Sequence, residues 1–320
     1  LRKSGKQVIL VSSGAVAAGR SILKSSNKLD TVAERQLLSS LGQVRLINLY
    51  TSFFNEFSQL CAQVLVTRQD FKDRHHYVNM QNCFNALLVN DIVPIVNEND
   101  VISITELMFT DNDELAGLLS AMLNVDRLLI LSNVDGIYDG DPSDSQSAVI
   151  SEFDESVYQL RNIAGSGKSN FGRGGIITKC HTAQRVAGLG IPVTIANGKT
   201  PDIINLLIGG ENLGTHFKAK KSTSGIKKWI ANAHALAKGH VVVNEGAKNR
   251  LQSSNASSLL PVGVVKIEGE FKKGDIIKIL DEKQHEIGLG QSKYGSKKAL
   301  AVIGQKNQKP IIHYDHLYLH

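Results

Sequence analysis

The 320-residue sequence has three cysteines, Cys61, Cys83 and Cys180, odd in number and far apart. They form neither a disulfide framework nor a metal-ligand pattern. All three are expected to be small buried hydrophobes in a reducing, cytoplasmic compartment, and no metal-ligating residue is assigned. No apolar run reaches the ~18 residues a transmembrane helix needs, so no membrane partner is expected. Aromatics make up 6% of the chain. In the last third Phe271 and Tyr294 stand well apart, Tyr314 and Tyr318 sit at the very end and Trp229 at the entry, so aromatics interleaved through the basic stretch as in a single-strand stacking platform are missing. The triplet Asn255-Ala256-Ser257 is a glycosylation sequon of the kind that arises by chance. The chain opens on Leu1 rather than Met, inside what reads as a helix-to-strand transition, and its natural N-terminus is expected to lie upstream.

What is present is a 42% hydrophobic composition, enough for two domains, and a net charge of +6 unevenly placed. Residues 221–320 hold 16 Lys/Arg against 8 Asp/Glu, whereas residues 1–220 hold 20 against 22. A near-neutral first part followed by a basic last third suggests an appended module with a different partner. A basic face that meets nucleic acid and a solvated lysine-rich surface both fit this balance.

Residues 1–215 alternate short apolar runs with helical patterns. Strand candidates are Gln7–Val11, Gln63–Val66, Ile92–Val96, Arg127–Leu131 and Pro192–Ala196. Helical spacing covers Met80–Val89, Glu114–Leu123 and Lys179–Leu189, and Thr31-x-x-Glu34 reads as a capping box ahead of another helix. This predicts a mainly parallel sheet covered by helices, with ligands beyond the carboxyl ends of its strands. After a polar linker, His240–Val243, Val262–Ile267, Ile276–Leu280 and Pro310–His313 read as a small, largely β domain. The expected division is residues 1–217, a linker over 218–226, and a second domain over 227–320.

The strand ends carry the chemistry. Ser12-Ser13-Gly14 leads into Ala15–Gly19, where small side chains either expose backbone N–H groups to an anion or allow tight helix packing. Asn97-Glu98-Asn99-Asp100 puts four polar residues directly after an apolar strand. Such groups hold the ammonium and carboxylate of an amino acid, or make an Asx turn. In Asp111-Asn112-Asp113-Glu114 a carboxylate caps a helix or orients cations around a phosphate; the spacing is wrong for a calcium loop. Ser132-Asn133-Val134-Asp135-Gly136-Ile137-Tyr138 is a further strand-end loop. Gly165-Ser166-Gly167-Lys168-Ser169 ends like a phosphate-binding loop, but Asn162 stands where the first glycine belongs and no strand precedes it. The glycine-rich stretch from Gly172 leads instead to Lys179 near a helix start, where a cation can neutralise a transferring phosphoryl group or remain a solvated lysine.

In their order and spacing, Val11–Arg20, Asn97–Asp100, Asp111–Asp113, Asp135–Tyr138 and Gly172–Lys179 resemble the glutamate 5-kinases of the amino acid kinase family. From about Lys227 the chain is similar to a PUA domain, through Ser257–Gly263, Gly269–Asp275 and Ile312–Asp315. The resemblance implies a three-layer αβα kinase sheet followed by a small β module. It also implies ATP with Mg²⁺, phosphorylation of L-glutamate, inhibition by proline and a homo-oligomer. Carried over by position, Ser13, Asn97, Asp100 and Asn112 would bind glutamate. Ser132, Asn133, Arg173, Gly174, Gly175, Ile176, Ile177, Thr178 and Lys179 would bind the nucleotide. Lys179 and Asp113 would be catalytic. The family opens on a strand with a Lys-x-Gly-Ser/Thr element, which is not found here, so the chain is expected to be N-terminally incomplete. Ser132-Asn133 and Arg173 differ from residues common in the family. PUA folds elsewhere bind RNA, which keeps open an alternative: an RNA-binding protein with an inactive kinase scaffold.

Overall fold

The computed structural model describes residues 1–23, 31–71, 74–103, 109, 111–141, 144, 146–154, 175–220, 225–232, 237–253 and 257–319. They form two compact units, residues 1–222 and 223–320.

The first unit runs β1 (Leu10–Val11), α1 (Ala15–Ile22), α2 (Thr31–Asn55), β2 (Cys61–Val66), α3 (Arg74–Val89), β3 (Val93–Glu98) and α4 (Asn112–Leu123). It continues with β4 (Leu128–Ser132), α5 (Ile176–Gly188), β5 (Val193–Asn197), α6 (Ile203–Gly209) and β6 (Thr215–Phe217). Three of its four strand pairings are parallel, β1 with β3, β2 with β3 and β4 with β5, whereas β6 joins β5 antiparallel. These strands make two three-stranded sheets, ordered β1-β3-β2 and β4-β5-β6, where a continuous one was expected. Helix α4 packs on β1, β3 and β4 and so spans both.

One residue explains why β1 is so short. Ser12 N–H donates to Val96 O, while Val93 and Asn99 N–H donate to the β2 side, so even-numbered residues of β3 face β1. Pro94 therefore withholds its missing N–H from β1, opposite Ile9 in a register that pairs Leu10 with Ile95. The apolar run Gln7–Val11 becomes a strand only beyond that gap.

Helices α1 and α2 touch backbone to backbone. A Cβ on Gly19 would lie 1.9 Å from Leu38 O, and one on Gly42 would lie 1.7 Å from Ala15 O. The small residues after Ser13 thus serve close helix packing. Helix α2 begins at Thr31 itself, one residue earlier than a cap at Thr31 would place it; residue 30 lies outside the described residues. Of the three cysteines only Cys180 is buried. Cys61 is half-buried and Cys83 is exposed on α3, which corrects the expectation for both.

The second unit contains α7 (Gly225–Asn232), β7 (His240–Val243), α8 (Glu245–Gln252), β8 (Val264–Glu268), β9 (Ile276–Asp281), β10 (Glu286–Ser292), α9 (Ser296–Val302) and β11 (Ile312–Leu319). Helix α7 begins two residues inside the stretch read as linker. The sheet order is β11-β10-β9-β7-β8, closed around Val241, Val243, Ile277, Ile279 and Ile312. Strand β10 went unread because Gly288 and Gly290 dilute its pattern. Both are needed, since their Cβ atoms would lie 2.3 Å from Tyr318 O and 2.5 Å from Ile312 Cγ2. Among the described residues no helix is long and apolar enough to cross a membrane.

Buried Asp281 closes β9. It accepts from Lys248 Nζ at 2.9 Å and from the backbone N–H groups of His285 and Lys283 at 2.9 and 3.0 Å. The Lys248 hydrogen bond, followed by that of His285, holds its carboxyl down at about 2. A depressed carboxyl stabilises the fold above its unfolded value of ~3.9 and loses that contribution as pH falls towards 2. Asp281→Asn is therefore expected to melt earlier than the parent at neutral pH. The gap should close as pH drops below ~4, as thermal melts across that range would show.

Candidate active site

Three chain segments meet where β1 and β3 end. Asn112, at the start of α4, donates through Nδ2 to Asn97 Oδ1 at 3.0 Å and to the backbone oxygen of Ser12. The neighbouring Ser13 is exposed, whereas Ser12 is buried with its Oγ 2.9 Å from the Tyr50 hydroxyl. Asp111 caps α4, accepting from Glu114 N–H at 2.9 Å. That cap fixes where the helix begins, and so turns Asn112 and Asp113 toward the strand ends.

Asp113 then meets Lys179. Lys179 Nζ donates to Asp113 Oδ2 at 2.6 Å, with both side chains more than four-fifths buried. The pair forms because α4 and α5 pack closely one turn further on. A Cβ on Gly117 would come within 2.9 Å of Thr182 and 3.2 Å of Val186. Gly117 follows Asp113 by four residues and Thr182 follows Lys179 by three, so each charge shares a helix face with the contact that positions it. Burial pushes the Asp113 carboxyl above its usual range despite the opposing Lys179. Beside them the thiol of Cys180 is pushed up to about 12, chiefly by burial.

The described remaining nucleotide residues lie at the end of β4 or at the start of α5. Ser132 O accepts from Gly198 N–H at 2.8 Å, and Asn133 is exposed beside it. Asp135 holds Asn197 Nδ2 at 2.8 Å and the Tyr138 hydroxyl at 3.2 Å, and Ile137 N–H donates to Thr215 Oγ1 at 2.8 Å. At the head of α5, Gly175 is the cap residue and Thr178 Oγ1 donates to its carbonyl at 2.8 Å. Ile176 packs against the core, whereas Ile177 is exposed. Arg173 and Gly174 lie outside the described residues, as does the Gly165–Ser169 segment.

Asp100 is buried and engaged by Arg35, a residue no motif singled out. Arg35 Nε and Nη2 both donate to Asp100 Oδ1, at 2.8 and 2.6 Å, and Nη2 lies 3.4 Å from Glu98 Oε2. Arg35 precedes the buried Leu38, Ser39, Gly42 and Gln43 by three, four, seven and eight residues. A cation on a helix face of that kind needs a buried anion, and this is the signal that could have found it. The Glu98 carboxyl is pushed up mainly by burial, and the Phe109 N–H opposes this from 3.1 Å.

Helix starts and polar strand ends thus come together around a lysine–aspartate pair. Residues 1–197 match the amino acid kinase family and residues 239–314 match the PUA domain. The chain belongs to the amino acid kinase family. A glutamate 5-kinase of Chlorobaculum tepidum is 50% identical over all of this chain and 88% of its own length. The glutamate 5-kinase of Bacteroides thetaiotaomicron is 47% identical over all of this chain and 89% of its own. The expected kinase fold followed by a PUA unit is thus what the chain has.

A carboxyl whose folded pKa is raised adds stability only while protonated. That contribution is full below ~3.9 and is lost as pH rises through the raised value. The parent is therefore expected to lose stability relative to Asp113→Asn as pH rises above ~4, while the variant loses activity. Melts of both proteins across that range would test this; a constant difference would contradict the assignment.

Proposed function

We propose that this chain transfers the γ-phosphoryl group of ATP to the side-chain carboxylate of L-glutamate, giving L-glutamyl 5-phosphate and ADP, the first step of proline biosynthesis. A carboxylate oxygen of glutamate forms the new bond to the γ-phosphorus. The bond from that phosphorus to the bridging oxygen breaks, and ADP carries the electron pair away. Lys179 offsets negative charge on the phosphoryl oxygens in flight, and Asp113 keeps its ammonium aimed. Ser13, Asn97, Asp100 and Asn112 would hold the amino and carboxylate groups of glutamate. Ser132, Asn133 and the start of α5 would receive the nucleotide.

The observation that carries this reading is the Lys179–Asp113 pair, set one residue from Asn112 and its bond to Asn97. It joins a phosphoryl-stabilising cation to an amide pair suited to an amino acid. Among the described residues no three His, Cys, Asp or Glu side chains are grouped to hold a metal. Mg²⁺ would enter with the nucleotide's phosphates, and no step is assigned to the protein through it.

A hydroxamate assay for glutamyl phosphate with ATP, Mg²⁺ and glutamate tests the reading. Activity is expected, suppressed by added proline, and Lys179→Ala should lower kcat by about 10²–10³-fold. Unchanged turnover in that variant would remove Lys179 from the chemistry.

A second reading concerns the PUA unit, supported by its match over residues 239–314 and by the basic excess of residues 221–320. We propose RNA as its partner. Binding should weaken steeply between 50 and 200 mM salt, roughly a thousandfold or more if six phosphates are contacted. A titration with no binding, or binding indifferent to salt, would reject it.

A further inference from the structure

Glu98 and Asp100 put two buried carboxylates at one strand end, and a single guanidinium serves both. Glu98 is fully used inside the protein, with Oε1 taking the Phe109 N–H and Oε2 facing Arg35. Asp100 is held differently. Structural arginine–carboxylate pairs commonly use both oxygens in a fork. Here both donors converge on Oδ1, while Oδ2 accepts no hydrogen bond from the described residues. The network therefore sorts two similar groups into one that is sealed and one that keeps a free acceptor.

We propose that Arg35 is a positioning residue for the amino group of the substrate: by occupying Oδ1 of Asp100 it leaves Oδ2 as a fixed acceptor for a substrate ammonium. This rests on the assignment of Asp100 to the glutamate site. Two neighbouring carboxylates without a shared cation would repel each other and move apart. Arg35 prevents this from a different helix, so the acceptor depends on how α2 lies against β3. A residue acting in this way governs discrimination for the amino group and leaves the phosphoryl step alone.

The test compares L-glutamate with glutarate, which has the same reacting carboxylate and no amino group, in the parent, Arg35→Met and Arg35→Lys. The parent should prefer glutamate, by roughly tenfold or more in kcat/KM. Arg35→Met should lose most of that preference through a raised KM for glutamate, with KM for ATP and the reaction of glutarate little changed. Arg35→Lys keeps the charge but not the two converging donors, and should fall between; it carries the test if the methionine variant fails to fold. In an Asp100→Asn background, Arg35→Met should have no further effect on the preference. A preference unchanged in a folded Arg35 variant overturns the proposal while leaving the kinase reading intact. A parent that phosphorylates neither compound overturns both.

Discussion

The close approach of α4 and α5 is the contact on which the site depends. A side chain at position 117 would push the helices apart, and the 2.6 Å Lys179–Asp113 bond would lengthen with them. At that distance, and largely out of water, the charges interact far more strongly than an exposed pair would. Burial nonetheless still dominates at Asp113, whose carboxyl lies above its usual range. The pair is therefore a poor source of stability.

Around this contact the first unit divides its work between strand ends and helix starts. Strands β3, β4 and β5 stop in the polar residues Glu98, Ser132 and Asn197, while α4 and α5 start at Asn112 and Ile176, well along the chain from the strands before them. The Asp111 cap and the Gly175 cap lie at those helix starts, and the Asn112–Asn97 bond ties the first of them to a strand end. Backbone N–H groups at the helix starts then need no further side chains to offer hydrogen bonds to an anion.

Much of this was legible in the sequence because it is local. Strands β2 to β5 lie within two residues of their apolar runs, and the Asp111 cap is announced by its own residue type. What escaped is non-local. Pro94 shortens a strand more than eighty residues earlier, through a hydrogen bond it cannot make. Gly288 and Gly290 look like weak strand residues until the neighbouring β11 comes close. Arg35 reaches carboxylates more than sixty residues away, and only its place on a buried helix face hints at this. The small residues after Ser13 permitted two readings, and packing against α2 accounts for Gly19 and Ala15.

The differing surroundings of the three thiols matter for handling the protein. Thiol-reactive probes attack the thiolate, and Cys180 next to the key lysine is both enclosed and held protonated. Cys83 faces solvent on α3, and Cys61 is half covered. A fluorophore or spin label added under mild conditions will therefore collect on α3 and spare the thiol beside the Lys179–Asp113 pair, giving a spectroscopic handle without engineering the sequence.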